Sequence, residues 1–336
     1  MNKKIVILYH FVDKATKDEA LTKEHVFVDN QTDDAVPYFR NVLREGGYGV
    51  GVHRITADRL SDILHLDADY IFNLVDSKEL ELPVAQMLGL QKTPYAGATY
   101  KALSICNDKK RTKQLLRQYR FPTPEYIYVF YSDRIVNLRL PFAFPAIVKP
   151  TQEHCSVGIT DRSIVRSHDE LIYRIEELRV MLKQSVLIEE FIPGKELQVT
   201  LVENEKILEA LPMAEMAFRG SVRNPWNIYG FEEKWKKDSA LYKSCHFVAP
   251  PRDVPEEDIE AMLKDAKRAY TAFGLKDYGR VDLRYNPLTR RWYILEVNAN
   301  PGLDPDPRDA STASANGAGL SLDDVVLRIV KNSLHE

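Results

Sequence analysis

Gly279-Arg280-Val281-Asp282-Leu283-Arg284-Tyr285 and Ile294-Leu295-Glu296-Val297-Asn298-Ala299-Asn300-Pro301-Gly302 are the paired stretches that decide how this chain reads. Val281, Leu283 and Tyr285 alternate with Asp282 and Arg284, the two-residue period of a strand with one apolar and one polar face. Glu296 and Asn298 lie two apart in the second run and so share a face. Between the runs, Asn286-Pro287-Leu288-Thr289-Arg290 is a turn by composition. Asp282 and Glu296 each lie seven residues from Thr289, so a hairpin folding there sets them opposite one another. A lone acid in such a hairpin reads as part of a wet polar face. Strand interiors are poor in Asp, Asn and Glu, however, so the whole pattern reads as a metal site. Two carboxylates and an amide oxygen in one patch suit Mg²⁺, with Mn²⁺ as a second candidate.

With 336 residues the chain exceeds the usual size of one domain. Hydrophobic content of 44% and charged content of 28% are ordinary for a globular protein. Lys and Arg total 46 against 49 Asp and Glu, a net charge of −3 that gives no push towards nucleic acid or membrane. The six basic residues between Lys109 and Arg120 read as an exposed helix face rather than a nucleic-acid surface. Three widely spaced cysteines without a CxxC argue against a disulfide framework or zinc site and fit a reducing cytoplasm. The apolar run Ile5 to Leu8 is too short for a signal-peptide core, and no later run approaches a membrane span.

Lys4 to Tyr9 and Asp69 to Leu74 read as strands, with a helix from Asp34 to Glu45 between them, stopped by Gly46-Gly47. That alternation predicts a small open α/β domain with a parallel sheet. A helix capped by Asn107-Asp108 runs from Lys109 to about Tyr119. The strand Pro145 to Lys149 leads into a polar loop, Pro150 to Ile159, and then a helix from His168 to Lys183. Strands Ser185 to Glu190 and Glu196 to Val202 flank the turn Ile192-Pro193-Gly194. Arg219 to Ala249 shows little periodicity and reads as a long excursion or lid. A helix from Glu256 to Phe273 precedes the hairpin, and another around Leu322 to Leu334 closes the chain. Asp304 to Gly319 is rich in Asp, Pro, Ser, Ala and Gly.

Lys109, at a helix start, and Lys149, at a strand end opening a polar loop, stand at positions suited to phosphate. The chain has neither GxxxxGK[ST] nor a GxGxxG supporting a dinucleotide fold. The pieces together resemble the ATP-grasp superfamily, within it the D-alanine–D-alanine ligase branch, from about Gly89 to the C terminus. The landmarks, in family order, are Pro94-Tyr95-Ala96-Gly97, Asn107-Asp108-Lys109, Val148-Lys149-Pro150, Ser156-Val157-Gly158, Glu189 to Glu196, Tyr229 to Trp235, and Arg280-Val281-Asp282 with Glu296-Val297-Asn298.

The resemblance implies an α/β (α+β) fold in three units. An N-terminal open domain, 1–103, precedes a central subdomain, 104–188, and a C-terminal subdomain, 189–336, with lid and metal site. It also implies that Lys109 and Lys149 contact ATP phosphates. Glu189, with the backbone of Glu190, Phe191 and Ile192, would hold adenine at a hinge, and Glu196 the ribose. Asp282, Glu296 and Asn298 would hold Mg²⁺. Arg280 and the Gly302 N–H would neutralise the reacting carboxylate, Ser156 would act from its loop, and Lys234 would arrive on a closing loop. The implied reaction is ATP-dependent ligation of a small carboxylate to an amine, in the cytoplasm, with a homodimer as the implied assembly. An authentic D-alanine–D-alanine ligase and a nucleotide-binding regulator without catalysis are the alternatives.

The sequence departs from that branch where substrates bind. Tyr9-His10-Phe11-Val12-Asp13-Lys14 replaces a glycine-rich stretch, Asn73 to Ser77 a His-Gly segment, and Leu303-Asp304-Pro305-Asp306 the segment for the second amino acid's carboxylate. His154-Cys155 stands where Gly-Ser is usual, and Trp235 where a tyrosine is. Adjacent residues rarely face each other and the sequence identifies no orienting acid, so His154-Cys155 reads as loop packing.

Overall fold

The apolar run Ile5 to Leu8 makes β1 (Lys4–His10) a fully sandwiched strand, and a strand buried on both faces takes parallel neighbours on both sides. β2 (Gly49–Ile55) and β3 (Tyr70–Asn73) pair with it in parallel, giving the order β2-β1-β3. Helix α1 (Gln31–Glu45) supplies the crossover between β1 and β2. β2 escapes the sequence reading because two glycines and two basic residues interrupt its apolar alternation, as an edge strand tolerates. The computed structural model describes residues 2–10, 31–204, 207–220, 222 and 224–334; Phe11 to Lys14 lie outside the described residues.

Helices α2 (Glu81–Leu90) and α3 (Tyr100–Cys106), neither read from the sequence, lead to α4 (Lys109–Gln118). Asp108 caps α4 by accepting hydrogen bonds from the Lys110 and Arg111 N–H groups at 2.9 and 3.2 Å. Its N-terminus is therefore satisfied by the chain itself rather than left for an anion. A second sheet follows, ordered β4-β7-β5-β6 from β4 (Tyr126–Val129), β5 (Ala146–Pro150), β6 (Ile164–Val165) and β7 (Val186–Glu190). Helix α5 (His168–Leu182) buries Leu171, Ile175 and Leu178 against it, one face at helical spacing. β7 carries this sheet to Glu190, two residues past the break expected at 188/189.

The third sheet is antiparallel, ordered β11-β10-β8-β12-β13, with β9 beside β8. Its strands are β8 (Lys195–Asn204), β9 (Ile207–Ala210), β10 (Ala214–Phe218), β11 (Cys245–Val248), β12 (Tyr278–Asn286) and β13 (Arg291–Asn298). The stretch expected as an excursion, Arg219 to Ala249, instead holds two short helices, α6 (Phe231–Trp235) and α7 (Ala240–Ser244), and ends in β11. Its order comes from pairing with β10, a long-range contact that leaves no local period. Helix α8 (Glu256–Phe273) has the expected bounds and buries Met262, Ala266, Ala269, Tyr270 and Phe273 beneath the sheet.

Helix α9 (Ala310–Gly317) emerges from the stretch rich in small residues, capped by Asp309, which accepts from the Ser311 N–H at 2.8 Å. Every residue from Ala310 to Ala315 is buried, so small side chains serve close packing here. Helix α10 (Leu322–Leu334) returns to the N-terminal sheet, where Val325, Val326, Ile329 and Val330 share a core with Ile5, Ile7, Phe39 and Phe72. The last helix thus closes the core of the first sheet.

Candidate active site

A cleft of about 1070 Å³, open mouth included, lies between the second and third sheets. β12 and β13 form the face on which the metal ligands were expected. Asp282 pairs with Glu296, and Arg280 with Asn298. The hairpin is centred between Leu288 and Thr289, not on Thr289, since Asn286 pairs with Arg291 and Leu283 with Ile294. Leu295 is therefore an extra residue, a bulge that restores Asp282 to Glu296. The clamp at the bulge comes from another segment. Ile294 donates its N–H to Pro122 O at 2.7 Å, and its carbonyl accepts from Thr123 Oγ1 at 3.0 Å and Lys113 Nζ at 3.3 Å.

Asp282, Glu296 and Asn298 all line the cleft. Asp282 accepts from Arg280 Nε at 2.7 Å and from Arg280 Nη2 at 3.0 Å, a two-pronged pair between residues on one strand face. Glu296 lies 3.3 Å from Lys109 Nζ. Burial opposes ionisation of Glu296, but Lys109 and Lys149 outweigh it and hold the carboxyl below its ordinary range. Asn298 Nδ2 is buried without a hydrogen-bond partner. Three oxygen-bearing side chains on one face, two of them anionic, fit Mg²⁺.

The floor is built from lysines. Lys109 Nζ also donates to the Glu153 carbonyl, which ties α4 to the polar loop. Lys149, next to last in β5, meets Glu189 Oε2 at 2.6 Å, while Lys113 reaches Glu189 Oε1 at 2.5 Å. Glu189, expected at the adenine hinge, thus spends its carboxylate on two lysines. Burial raises its carboxyl, yet Lys113 and Lys149 override that and hold it at about 2. Lys149 is pushed up despite burial by Glu189 and Glu296, whereas Lys113 is pushed down because burial prevails over Glu189. Lys113 was missed, although its place one turn beyond Lys109 on the same helix was a usable signal.

The connection from β7 into β8, Glu190 to Glu196, is held by Arg284, the third polar residue on the Arg280-Asp282 face. The sequence reading gave it no role. Its guanidinium donates to the carbonyls of Ile192 (3.0 Å), Gly194 (3.2 Å), Trp226 (3.1 Å) and Asn227 (2.5 Å), and contacts Glu196 at 3.4 Å. Gly194 has φ +126°, and a Cβ there would stand 2.2 Å from Tyr285 O, so only glycine fits. Glu190, Phe191, Ile192 and Glu196 line the cleft as expected. Glu196 accepts from the Tyr229 N–H at 3.2 Å; burial raises its carboxyl against the pull of Arg284.

The polar loop and the segment expected as the lid are stitched together. Ser156 Oγ donates to Tyr229 O at 2.8 Å, Trp235 Nε1 to Cys155 O at 2.9 Å, and Phe231 N–H to Ile159 O at 2.9 Å. Ser156 lines the cleft, but its hydroxyl is engaged with the lid backbone. Lys234 also lines it, with Nζ 5.2 Å from the Trp235 ring centre. Gly302 is exposed and is not among the lining residues; its carbonyl accepts from Ser311 Oγ at 3.1 Å. Asp76, from the chain after β3, lies 3.4 Å from His154 Nδ1, so the acid that the sequence did not identify beside His154-Cys155 comes from the N-terminal unit.

Comparison with known proteins points to one family. A family model described as D-ala D-ala ligase C-terminus matches residues 115–331. The chain is 33% identical over 274 residues to the D-alanine–D-alanine ligase of Chromohalobacter salexigens, covering 81% of this chain and 79% of that one. It is 29% identical over 310 residues to that of Carboxydothermus hydrogenoformans, covering 89% and 91%. Among solved structures, the D-alanine–D-alanine ligase of Bacillus anthracis complexed with ATP superposes with a TM-score of 0.74 at 22% identity, over 100% of this chain and 98% of that one.

Proposed function

The chain belongs to the D-alanine–D-alanine ligase family, within the ATP-grasp superfamily, and from that premise we propose an ATP- and Mg²⁺-dependent carboxylate–amine ligase working through an acyl phosphate. One observation carries the reading: Lys109, Lys149, Arg280 and the oxygen donors of the hairpin line a single cleft.

Phosphoryl transfer is chiefly positioning and charge neutralisation, and the residues divide accordingly. Lys109 and Lys149 meet the phosphates. Asp282, Glu296 and Asn298 would hold Mg²⁺, which supplies positive charge at the transferring phosphate. Glu196 and the hinge backbone from Glu190 to Ile192 take the ribose and adenine. Arg280 holds the carboxylate as its oxygen bonds to the γ-phosphorus and ADP leaves. The amine then adds to the acyl carbon, and loss of phosphate together with a proton from the nitrogen leaves the amide. Water destroys an acyl phosphate, which is the reason for the lid tied down through Trp235 and Tyr229.

An authentic D-alanine–D-alanine ligase is the second reading, favoured by the names of the relatives. Against it stand Asn73 to Ser77 and Leu303 to Asp306, segments that differ from the branch at the substrate end. ADP release and product mass, measured across an amino-acid and amine panel, separate the two. Activity with D-alanine as sole donor and acceptor selects the second reading. Tight ATP binding with no product from any pair would leave a nucleotide-binding regulator instead. A cytoplasmic location and a homodimer complete the proposal, the latter checked by light scattering. Among the described residues no helix is long and apolar enough to cross a membrane.

A further inference from the structure

Among the described residues, one group of metal-ligating side chains stands apart from the hairpin. Asp76, His154 and Cys155 each offer a donor atom, and the three atoms lie within 4.8 Å of one another. Asp76 follows β3 in the N-terminal unit, whereas His154 and Cys155 sit in the loop after β5. In extended chain, adjacent side chains point to opposite faces. Here Cys155 and Ser156 have φ of 54° and 61°, two successive non-glycine residues in the left-handed region. That curl brings the His154 and Cys155 donors to one side. The conformation is held by the Trp235 Nε1–Cys155 O and Ser156 Oγ–Tyr229 O hydrogen bonds.

We propose that Asp76, His154 and Cys155 form a binding site for a zinc-class divalent transition metal, separate from the oxygen-donor site of the hairpin. An oxygen, an imidazole nitrogen and a thiolate are the donors Zn²⁺ or Co²⁺ prefers, and a poor set for Mg²⁺. Neutral imidazole with a carboxylate and a thiolate supplies two negative charges to match a dication. The nearby charges of His10 and Lys234 act against it. All three side chains are part-exposed, so the ion enters from solvent. His154 and Cys155 also line the cleft, which leaves the fourth position of a tetrahedral site for a donor atom within it. A metal held there ties the N-terminal unit to the loop beneath the lid. Counting cysteine spacing misses such a site, because its ligands come from two distant segments.

The test uses the full-length protein and Co²⁺ as the probe, read by absorption. One equivalent should bind with a thiolate-to-metal charge-transfer band, be displaced by equimolar Zn²⁺, and resist a hundredfold excess of Mg²⁺. Cys155→Ser should abolish the band. Asp76→Asn and His154→Ala should each weaken binding by about tenfold or more, while Asp282→Asn leaves it intact. A wild-type protein without the band overturns the proposal. So does a band that survives Cys155→Ser, which would place the thiolate at Cys106 or Cys245. Because metal binding is the readout, the result is independent of whether the chain is a ligase.

Discussion

Asp282 and Glu296 stand directly opposite one another on adjacent strands because Leu295 is an extra residue in β13. The turn alone would set Asp282 against Leu295 and send Glu296 to the far face, since a one-residue slip flips a strand. The bulge brings the two carboxylates onto one wall, and the contacts of Ile294 with Pro122, Thr123 and Lys113 hold it there.

Glu296→Gln keeps the shape of the wall and removes one negative charge from it. Turnover should fall by about two powers of ten or more, in line with several kcal/mol of metal-borne stabilisation. The unfolding midpoint should fall modestly, because the lost attraction to Lys109 and Lys149 is only partly offset by relief of burial of the charge and of repulsion from Glu189. Turnover within a few-fold of the parent at saturating Mg²⁺ would strip the hairpin of its metal role.

Glu189 makes stability depend on acid. Its carboxyl goes from an ordinary 4.5 to about 2 in the fold, where burial is overridden by Lys113 and Lys149. Between those values the unfolded chain binds more protons than the folded one. The contribution is therefore whole above the upper value and lost as pH falls through the lower, about 3 kcal/mol in all. Glu189→Gln should flatten that acid limb and cost about 3–5 kcal/mol at neutral pH, since two buried lysines lose their partner. Urea unfolding of both proteins from neutral to pH 3 decides it, and parallel curves would dismiss the ion pair.

Arg284→Lys should unfold more readily and bind nucleotide less well. The planar fork serves four carbonyls, and a single ammonium cannot reach all of them. Carbonyls left without donors should cost about 3 kcal/mol. KM for ATP should rise more than kcat falls, since Ile192 and Glu196 shape the hinge. An unchanged KM in a folded variant would mean that Arg284 does not position the nucleotide.

Trp235→Phe removes the Nε1 bond to Cys155 O while keeping an aromatic lid residue. More of the acyl phosphate should then be lost to water, so phosphate release per molecule of amide should rise above one. Measuring both products in the same reaction checks it, and a ratio still at one would release Trp235 from any part in excluding water.

Much of the site was legible because its chemistry is written in short-range pattern. Alternation exposed the β12 face, and the helix from Glu256 to Phe273 was bounded by Pro255 before it and Gly274 after it. The elements that were missed lack such a signal. β11 exists through its partner β10, and α9 is built of small residues that carry no apolar period. Gly302 was placed by likeness alone, and it is not among the residues that line the cleft.

By itself the sequence determined which residues could share a strand face or a helix face: Arg280 with Asp282 and Arg284, Glu296 with Asn298, Lys109 with Lys113. Those relations follow from backbone periods that hold wherever the segment lies. Only the tertiary structure decided which faces meet. The bulge at Leu295, the burial of Glu189 between Lys113 and Lys149, and the approach of Asp76 to His154 each join segments far apart in the chain. Charge interaction depends on distance through space and on burial, and neither is a function of sequence spacing.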